Sequence, residues 1–220
     1  MTKVHAFHAV LLLLLGASAS RAQDPAPSPA SNGTRLLFGP TARALPRGQV
    51  YFGVYEFLMP FVQVGVTDRV SLGGGTPLFF GIDESHRPFW VTPKVQLVGT
   101  ETTAVAAGAI HIFTPGEGGG GVGYVVATRG KERGALTAGA GLAYDVHGGR
   151  TAVVMIGGER EMRRSLRFIT ENYIWRNGIG MASAGVRFCG QRLSADVALG
   201  VPIGLGETFA FPVVNFVYMF

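Results

Sequence analysis

One pattern fills the chain from residue 49 to its end and constrains the fold more than any other feature. Segments rich in Val, Phe, Tyr, Ala and Gly alternate with short runs of turn residues. Each segment and its connection take about 14 residues, which suits membrane-spanning strands of about 9–11 residues. No long glycine-free stretch carries the 3.6-residue period of an amphipathic helix. We therefore predict an all-β fold, a transmembrane antiparallel up-and-down β-barrel of about 12 strands, with ten as the alternative.

The expected turns sort the side chains onto two faces. If Gly190 and Gln191 form a two-residue turn, the strands beside it carry one apolar face and one polar face. The same reasoning applies to the turn expected at Thr100 and Glu101. A slip of one residue would move every side chain of a strand to the other face, so these assignments depend on the turns. The residues expected to line the inside of the barrel are Lys94, Gln96, His111, Arg187, Ser194 and Asp196.

The composition of the polar face indicates which face meets water. A soluble sandwich would carry dense charge on its outer surface, but only 15% of this chain is charged and the polar face is mostly Gly, Ala, Ser and Thr. We therefore expect the apolar face to meet lipid and the small polar face to line a closed barrel, which satisfies every backbone group in hydrocarbon. We expect three inward charges of each sign. Equal numbers suit a network of ion pairs more than the single-sign ring of an ion-selective pore. The expected inward charged residues are Lys94, Arg167, Arg187, Glu56, Glu171 and Asp196.

The N-terminal region is predicted to precede the barrel. Residues 1–22 contain Lys3, an apolar run and a small-residue end, which together indicate a secretory signal peptide. The apolar run is shorter than the ~20 residues that a spanning helix needs. Residues 23–48, rich at first in Pro, Ser and Ala, are expected to be a leader or linker, and residues 49–220 the barrel.

The last strand carries the most specific signal in the sequence. The chain ends FPVVNFVYMF, with Phe216, Tyr218 and Phe220 at alternate positions. This resembles the C-terminal signature of bacterial outer-membrane β-barrel proteins, whose last strand is recognised by the barrel assembly machinery. The resemblance implies export to the bacterial outer membrane, contact with its lipid, and an assembly signal formed by these three residues. Pro212 cannot donate a ladder hydrogen bond, so we expect it at a bulge or near the loop end.

No combination of residues in the sequence indicates chemistry. Cys189 is the only cysteine, which excludes an intrachain disulfide and a cysteine-based zinc site. The histidines after the signal peptide, His86, His111 and His147, lack the spacing of metal ligands. The densest basic run, residues 129–134, contains an acid and does not indicate nucleic-acid binding. We expect no catalytic residues, no cofactor and no metal.

The sequence therefore favours an outer-membrane barrel that acts as a structural element or a narrow passive pore. Two alternatives stay open. One is a barrel enzyme that hydrolyses lipid or peptide, with His111 as its best candidate residue. The other is a soluble periplasmic β-sandwich or lipocalin-like binding protein.

Overall fold

The computed structural model describes residues 33–78, 86–131, 133–176, 178–206 and 209–220. The predicted signal peptide, and the predicted leader up to residue 32, lie outside these ranges. No helix in the described ranges is long and apolar enough to span a membrane.

The described residues form thirteen strand segments in one antiparallel sheet. The first and last strands pair with each other, so the sheet closes into a barrel. The segments are β1 (Val50–Tyr55), β2 (Met59–Gly65), β3 (Val70–Gly75), β4 (Phe89–Val91), β5 (Lys94–Gly99), β6 (Thr103–Thr114), β7 (Gly118–Lys131), β8 (Gly134–Asp145), β9 (Arg150–Arg163), β10 (Leu166–Trp175), β11 (Gly180–Cys189), β12 (Leu193–Ile203) and β13 (Phe211–Met219).

Two of these segments share one position in the wall. Both β4 and β5 lie between β3 and β6, and the chain leaves the regular ladder between them at Thr92 and Pro93. Pro93 has no N–H to donate to a ladder, which explains why the strand is interrupted there. The barrel therefore has twelve strand positions, as predicted.

Large apolar side chains cover the outside of the barrel. Leu136 on β8 is 72% exposed, and Val154 and Ile156 on β9 are more than half exposed. Their strand neighbours Thr137 and Met155 point inward and are buried. This alternation follows from the two-residue period of a strand. The apolar exterior is the reverse of what a water-soluble sandwich or lipocalin-like barrel would show.

The hairpin of β11 and β12 keeps its predicted faces although its register differs. The turn is Gln191 and Arg192, one residue later than expected, so Val186 pairs with Val197 rather than with Ala195. Since the register moves by two residues, each side chain stays on its predicted face.

The register predicted for β5 and β6 is wrong, and this corrects the position of His111. The turn closes between Thr100 and Thr103, and the ladder shifts between Gln96 and Val98. Val91 therefore lies opposite His111 rather than Ile110. This odd slip reverses the faces of β6, so His111 points outward.

The residues just before β1 fold inside the barrel. Residues 33–45, which we call the plug, lie within the range that the sequence suggested to be a leader or linker. Leu36, Leu37, Ala42 and Leu45 are each at most 2% exposed. Leu36, Leu37 and Ala42 belong to the main buried apolar cluster of the lumen.

Candidate functional site: a plugged lumen

The plug is a short hairpin inserted into the lumen. The Leu36 amide donates to the Gly39 carbonyl over 2.8 Å, and the Thr41 amide donates to the Thr34 carbonyl over 3.1 Å. Gly39 lies at the tip, tight against the wall. A Cβ atom at Gly39 would lie 2.5 Å from the hydroxyl oxygen of Tyr173 and 2.6 Å from the sulfur of Met155, so any larger residue would have to displace these buried side chains.

Lys94 binds the two arms of the plug together. Its Nζ donates to the carbonyls of Thr34 over 3.1 Å, Thr41 over 3.1 Å and Arg43 over 2.7 Å. These three bonds use the full donor capacity of an ammonium group. Lys94 is 6% exposed, so the backbone of the plug takes the place of its hydration shell.

Asp196 connects the plug to the opposite wall. The Nε of Arg187 donates to Oδ1 of Asp196 over 2.6 Å, and Nη2 of Arg187 donates to its Oδ2 over 3.1 Å. Arg35 of the plug donates to the same Oδ2 over 3.2 Å. Arg187 also donates to the Leu36 carbonyl over 2.8 Å. Charge-assisted, bidentate bonds of this kind fix geometry strongly.

Glu171 receives the tip of the plug. Its Oε2 accepts from the amide of Phe38 over 3.0 Å, and its Oε1 accepts from the amide of Gly39 over 2.9 Å. The Tyr173 hydroxyl donates to Oε1 over 2.6 Å. Glu171 is fully buried, so the two plug amides and one phenol stand in for water around its carboxylate.

One connected set near the short turns joins five charged side chains of the lumen wall: Arg187, Asp196, Glu159, Arg167 and Glu161. Glu159 lies 3.6 Å from Nη1 of Arg187 and 3.5 Å from Nη1 of Arg167, and Glu161 lies 3.9 Å from Nη2 of Arg167. We call the end of the barrel that carries the short turns the turn end, and the opposite end the loop end. The charged set and the plug together narrow the lumen toward the turn end.

The structure brings five of the six predicted lumen residues to the inner face. Lys94, Arg187 and Asp196 contact the plug directly, Ser194 is buried below Asp196 on the same strand, and Gln96 lines a cavity at the turn end. Arg167 and Glu171, which the sequence also predicts to point inward, lie on this face as well. Glu56 lies in the β1–β2 turn and accepts a hydrogen bond from the Val214 amide over 3.2 Å.

His111 lies on the outer face, which removes the residue on which the hydrolase alternative rested. Its Nδ1 shares a hydrogen bond of 2.9 Å with the Tyr144 hydroxyl, and its ring packs edge-on against Phe113. Phe113 in turn stacks on Phe89 at 4.8 Å. This aromatic patch on the outside of the barrel resembles the interface girdles of membrane barrels.

Sequence reasoning missed the plug, Glu159 and Glu161. A signal for the plug was present, because the run TRLLFGPTAR carries a Gly39-Pro40 turn dipeptide between apolar residues. Such a run is too apolar for a solvated linker. Glu161 pairs with Arg167 across β9 and β10, so a register for that hairpin would have found it.

Two cavities flank the plug on the side of β1 to β7. One of about 60 Å³ is lined by residues that include Arg35, Tyr55, Trp90 and Lys94. The other, of about 730 Å³ and open to solvent, is lined at the turn end by residues that include Arg43 and Gln96. Because Lys94 donates to the Arg43 carbonyl, that contact lies between the two cavities.

Fold and site together define a twelve-stranded barrel whose lumen is partly filled by the segment that precedes β1. No family model and no curated protein matches the sequence. Solved structures do match the fold. A NanC porin in a rhombohedral crystal form has 9% identity and a TM-score of 0.55. A KdgM porin has 7% identity and a TM-score of 0.57, and a KdgM porin in complex with disordered oligogalacturonate has 7% identity and a TM-score of 0.58. Each match covers 78% of this chain and 98% of the other. At these identities the likeness shows the shared barrel fold.

Proposed function

We propose that this protein is a bacterial outer-membrane β-barrel that acts as a narrow passive pore, with the plug limiting its conductance. The proposal rests on the distribution of polar and apolar side chains, which is the reverse of that in a soluble protein. Large apolar side chains such as Leu136 and Val197 cover the outside, whereas Arg187, Asp196 and Glu171 are buried inside. A closed barrel is the only β-structure that satisfies its backbone groups within hydrocarbon.

The proposal includes the route to the membrane. Residues 1–22 would direct export, and the assembly machinery would recognise Phe216, Tyr218 and Phe220 on the last strand. Phe220 is 75% exposed and Tyr218 is 39% exposed, so both rings are accessible on the outside of the barrel. The turn end then faces the periplasm, since short turns lie on that side in outer-membrane barrels.

The path for a permeant would run beside the plug through the two cavities, past the contact between Lys94 and the Arg43 carbonyl that lies between them. Balanced charges line the described part of the lumen, and Arg187 and Arg167 are each paired with carboxylates. An ion-selective pore would instead need a ring of one sign. This balance argues for weak ion selectivity, and it gives no support for extending the oligogalacturonate of one matching structure to this chain.

Two measurements test the proposal together. The full chain, expressed in a Gram-negative host, should be extracted from the outer membrane only by detergent and should migrate faster on gels before heating than after. Purified protein in planar bilayers should show small, stable conductance steps with little preference for cation or anion. Recovery in the soluble periplasmic fraction would contradict the membrane assignment. A folded barrel without conductance steps would contradict the pore and favour the structural role.

A further inference from the structure

The loop-end half of the lumen differs in character from the half that holds the plug. A cavity of about 120 Å³ lies there, with Pro40 of the plug among its lining residues. Its walls include Ile110, Val122, Val153 and Met155. None of the described side chains that line it is charged, and their nitrogen and oxygen atoms are the tyrosine hydroxyls and the tryptophan ring nitrogen. We call this cavity the apolar chamber.

The contrast occurs within single strands, so it is not a consequence of overall composition. On β9, the inward residues near the turn end are Glu159 and Glu161, which pair with arginines. Toward the loop end the inward residues of the same strand are Met155 and Val153, both at least nine-tenths buried. Membrane barrels with wet interiors carry polar residues on the inward positions of each strand. Here the strand is apolar on both faces in its outer half.

The space in the chamber comes from inward positions without side chains. Gly139 and Gly141 line the chamber on β8, and a Cβ atom at Gly141 would lie 2.9 Å from Cγ1 of Val122. The volume of the chamber is close to the roughly 150 Å³ of an engineered apolar cavity in another protein that stays dry and binds benzene. Strands surround it, so a folded partner or a second copy of this chain does not fit inside.

We propose that the apolar chamber binds a small, uncharged, apolar molecule, either aromatic or hydrocarbon. Apolar walls release water at a gain when such a molecule enters, whereas a sugar or an ion would leave its polar groups without partners. Tyr173 and Trp175 stack at a centroid distance of 5.9 Å on one side of the chamber and offer ring faces to the ligand. The Tyr173 hydroxyl is hydrogen-bonded to Glu171, so Tyr173 contributes the face of its aromatic ring to the chamber. The bound molecule represents the substrate class of the proposed pore. This inference rests on the proposed function only for the entry of the molecule from the loop end.

Tryptophan fluorescence can report on this chamber directly. The chain has two tryptophans, of which Trp175 lines the chamber and Trp90 lines the cavity near Lys94. A Trp90→Phe protein therefore carries its single tryptophan at the proposed site. The probe is bromobenzene, titrated into this protein in lipid nanodiscs, with heavy-atom quenching of Trp175 fluorescence as the signal. Saturable binding of one probe per barrel is expected.

Matched variants separate the chamber from lipid. In the same background, Val153→Phe fills the chamber and should weaken probe binding by at least about ten-fold, because pockets of this kind discriminate at the level of single methylene groups. Val154→Phe adds the same ring to the outer face and should leave the affinity unchanged. Val153→Thr, which keeps the shape and adds a hydroxyl, should also weaken binding and serves if the larger variant fails to fold.

Non-saturable quenching that is equal in all folded variants would overturn the proposal, as would saturable binding that Val153→Thr and Val153→Phe leave intact. Planar-bilayer conductance of the same proteins is recorded separately. A conducting barrel without saturable probe binding overturns the ligand and keeps the pore, whereas saturable binding by a silent barrel overturns the pore and keeps the ligand.

Discussion

Replacing Lys94 with methionine should loosen the plug without disturbing the wall. The substitution keeps the apolar stem of the side chain and removes the ammonium that binds the carbonyls of Thr34, Thr41 and Arg43. Hydrogen bonds from a charged group contribute about 1.5–3 kcal/mol each, and a buried carbonyl left without a donor costs about 1–3 kcal/mol. Part of this is offset because the buried ammonium no longer has to be dehydrated. We expect a net loss of about 3 kcal/mol in plug docking, or roughly a hundred-fold in the docking equilibrium.

Amide hydrogen exchange measures this change at the plug itself. The amides of Leu36, Phe38, Gly39 and Ala42 all have acceptors in the docked state. In the Lys94→Met protein they should exchange roughly a hundred-fold faster, while the strand amides keep their protection. Conductance steps in planar bilayers should become larger or more frequent.

A second lysine gives the matched control. Lys131 lies at the turn end, mostly exposed, with its Nζ 3.8 Å from Glu101, and an exposed pair of this kind contributes little. Lys131→Met should therefore leave exchange at the plug amides as in the unmodified protein. Unchanged exchange at the plug amides of Lys94→Met would refute the reasoning, because it would mean that these three bonds do not hold the plug.

Three further predictions test the tip of the plug, the lipid-facing belt and the assembly signal. Gly39→Ala places a Cβ atom 2.5 Å from a wall hydroxyl and should undock the plug, whereas Gly33→Ala, with its nearest atom at 3.9 Å, should not. Hydrogen exchange at the plug amides distinguishes the two variants. Equal exchange in both would contradict the packing. Val197→Arg, on the outer face within β12, should lower the unfolding free energy in lipid by about 2–4 kcal/mol, and Leu193→Arg near the turn by at most about 1 kcal/mol, as charge does at the midplane and at the interface; urea titrations showing equal losses would argue against a membrane belt. Deleting Phe220 should reduce the heat-modifiable fraction in the outer membrane more than deleting residues 24–31, and the opposite order would contradict the assembly signal.

The twelve-strand architecture was predictable because it depends on local features. Each strand carries its own two-residue alternation and each connection its own turn residues, so the count does not require knowledge of distant contacts. The faces of β11 and β12 were also predictable although their register was not. Moving the turn from Gly190–Gln191 to Gln191–Arg192 changes the pairing by two residues, which leaves every side chain on its face.

The face of β6 was not predictable in the same way. The turn at Glu101 and Thr102 and the irregularity between Gln96 and Val98 together move the pairing by an odd number of residues. A bulge inserts one extra residue without a distinctive sequence. His111 was consequently assigned to the lumen, while the structure places it beside Phe113 and Tyr144 on the outside.

The plug was hidden from sequence reasoning because its contacts are distant along the chain. Arg35 meets Asp196 across 161 positions, and Phe38 meets Glu171 across 133. The sequence shows that Arg187, Asp196 and Glu171 face inward, but a balanced inner network can be satisfied by its own members or by another segment. Only the closed barrel shows that residues 33–45 take the space between them.

The most direct test of the central claim compares the single-channel conductance of the unmodified protein with that of a variant lacking residues 33–45. If the plug narrows the lumen of a membrane-spanning barrel, the shortened protein should still assemble as a heat-modifiable barrel and should show stable steps several-fold larger. Equal steps from the two folded proteins would show that the plug does not limit the path, and would contradict the account.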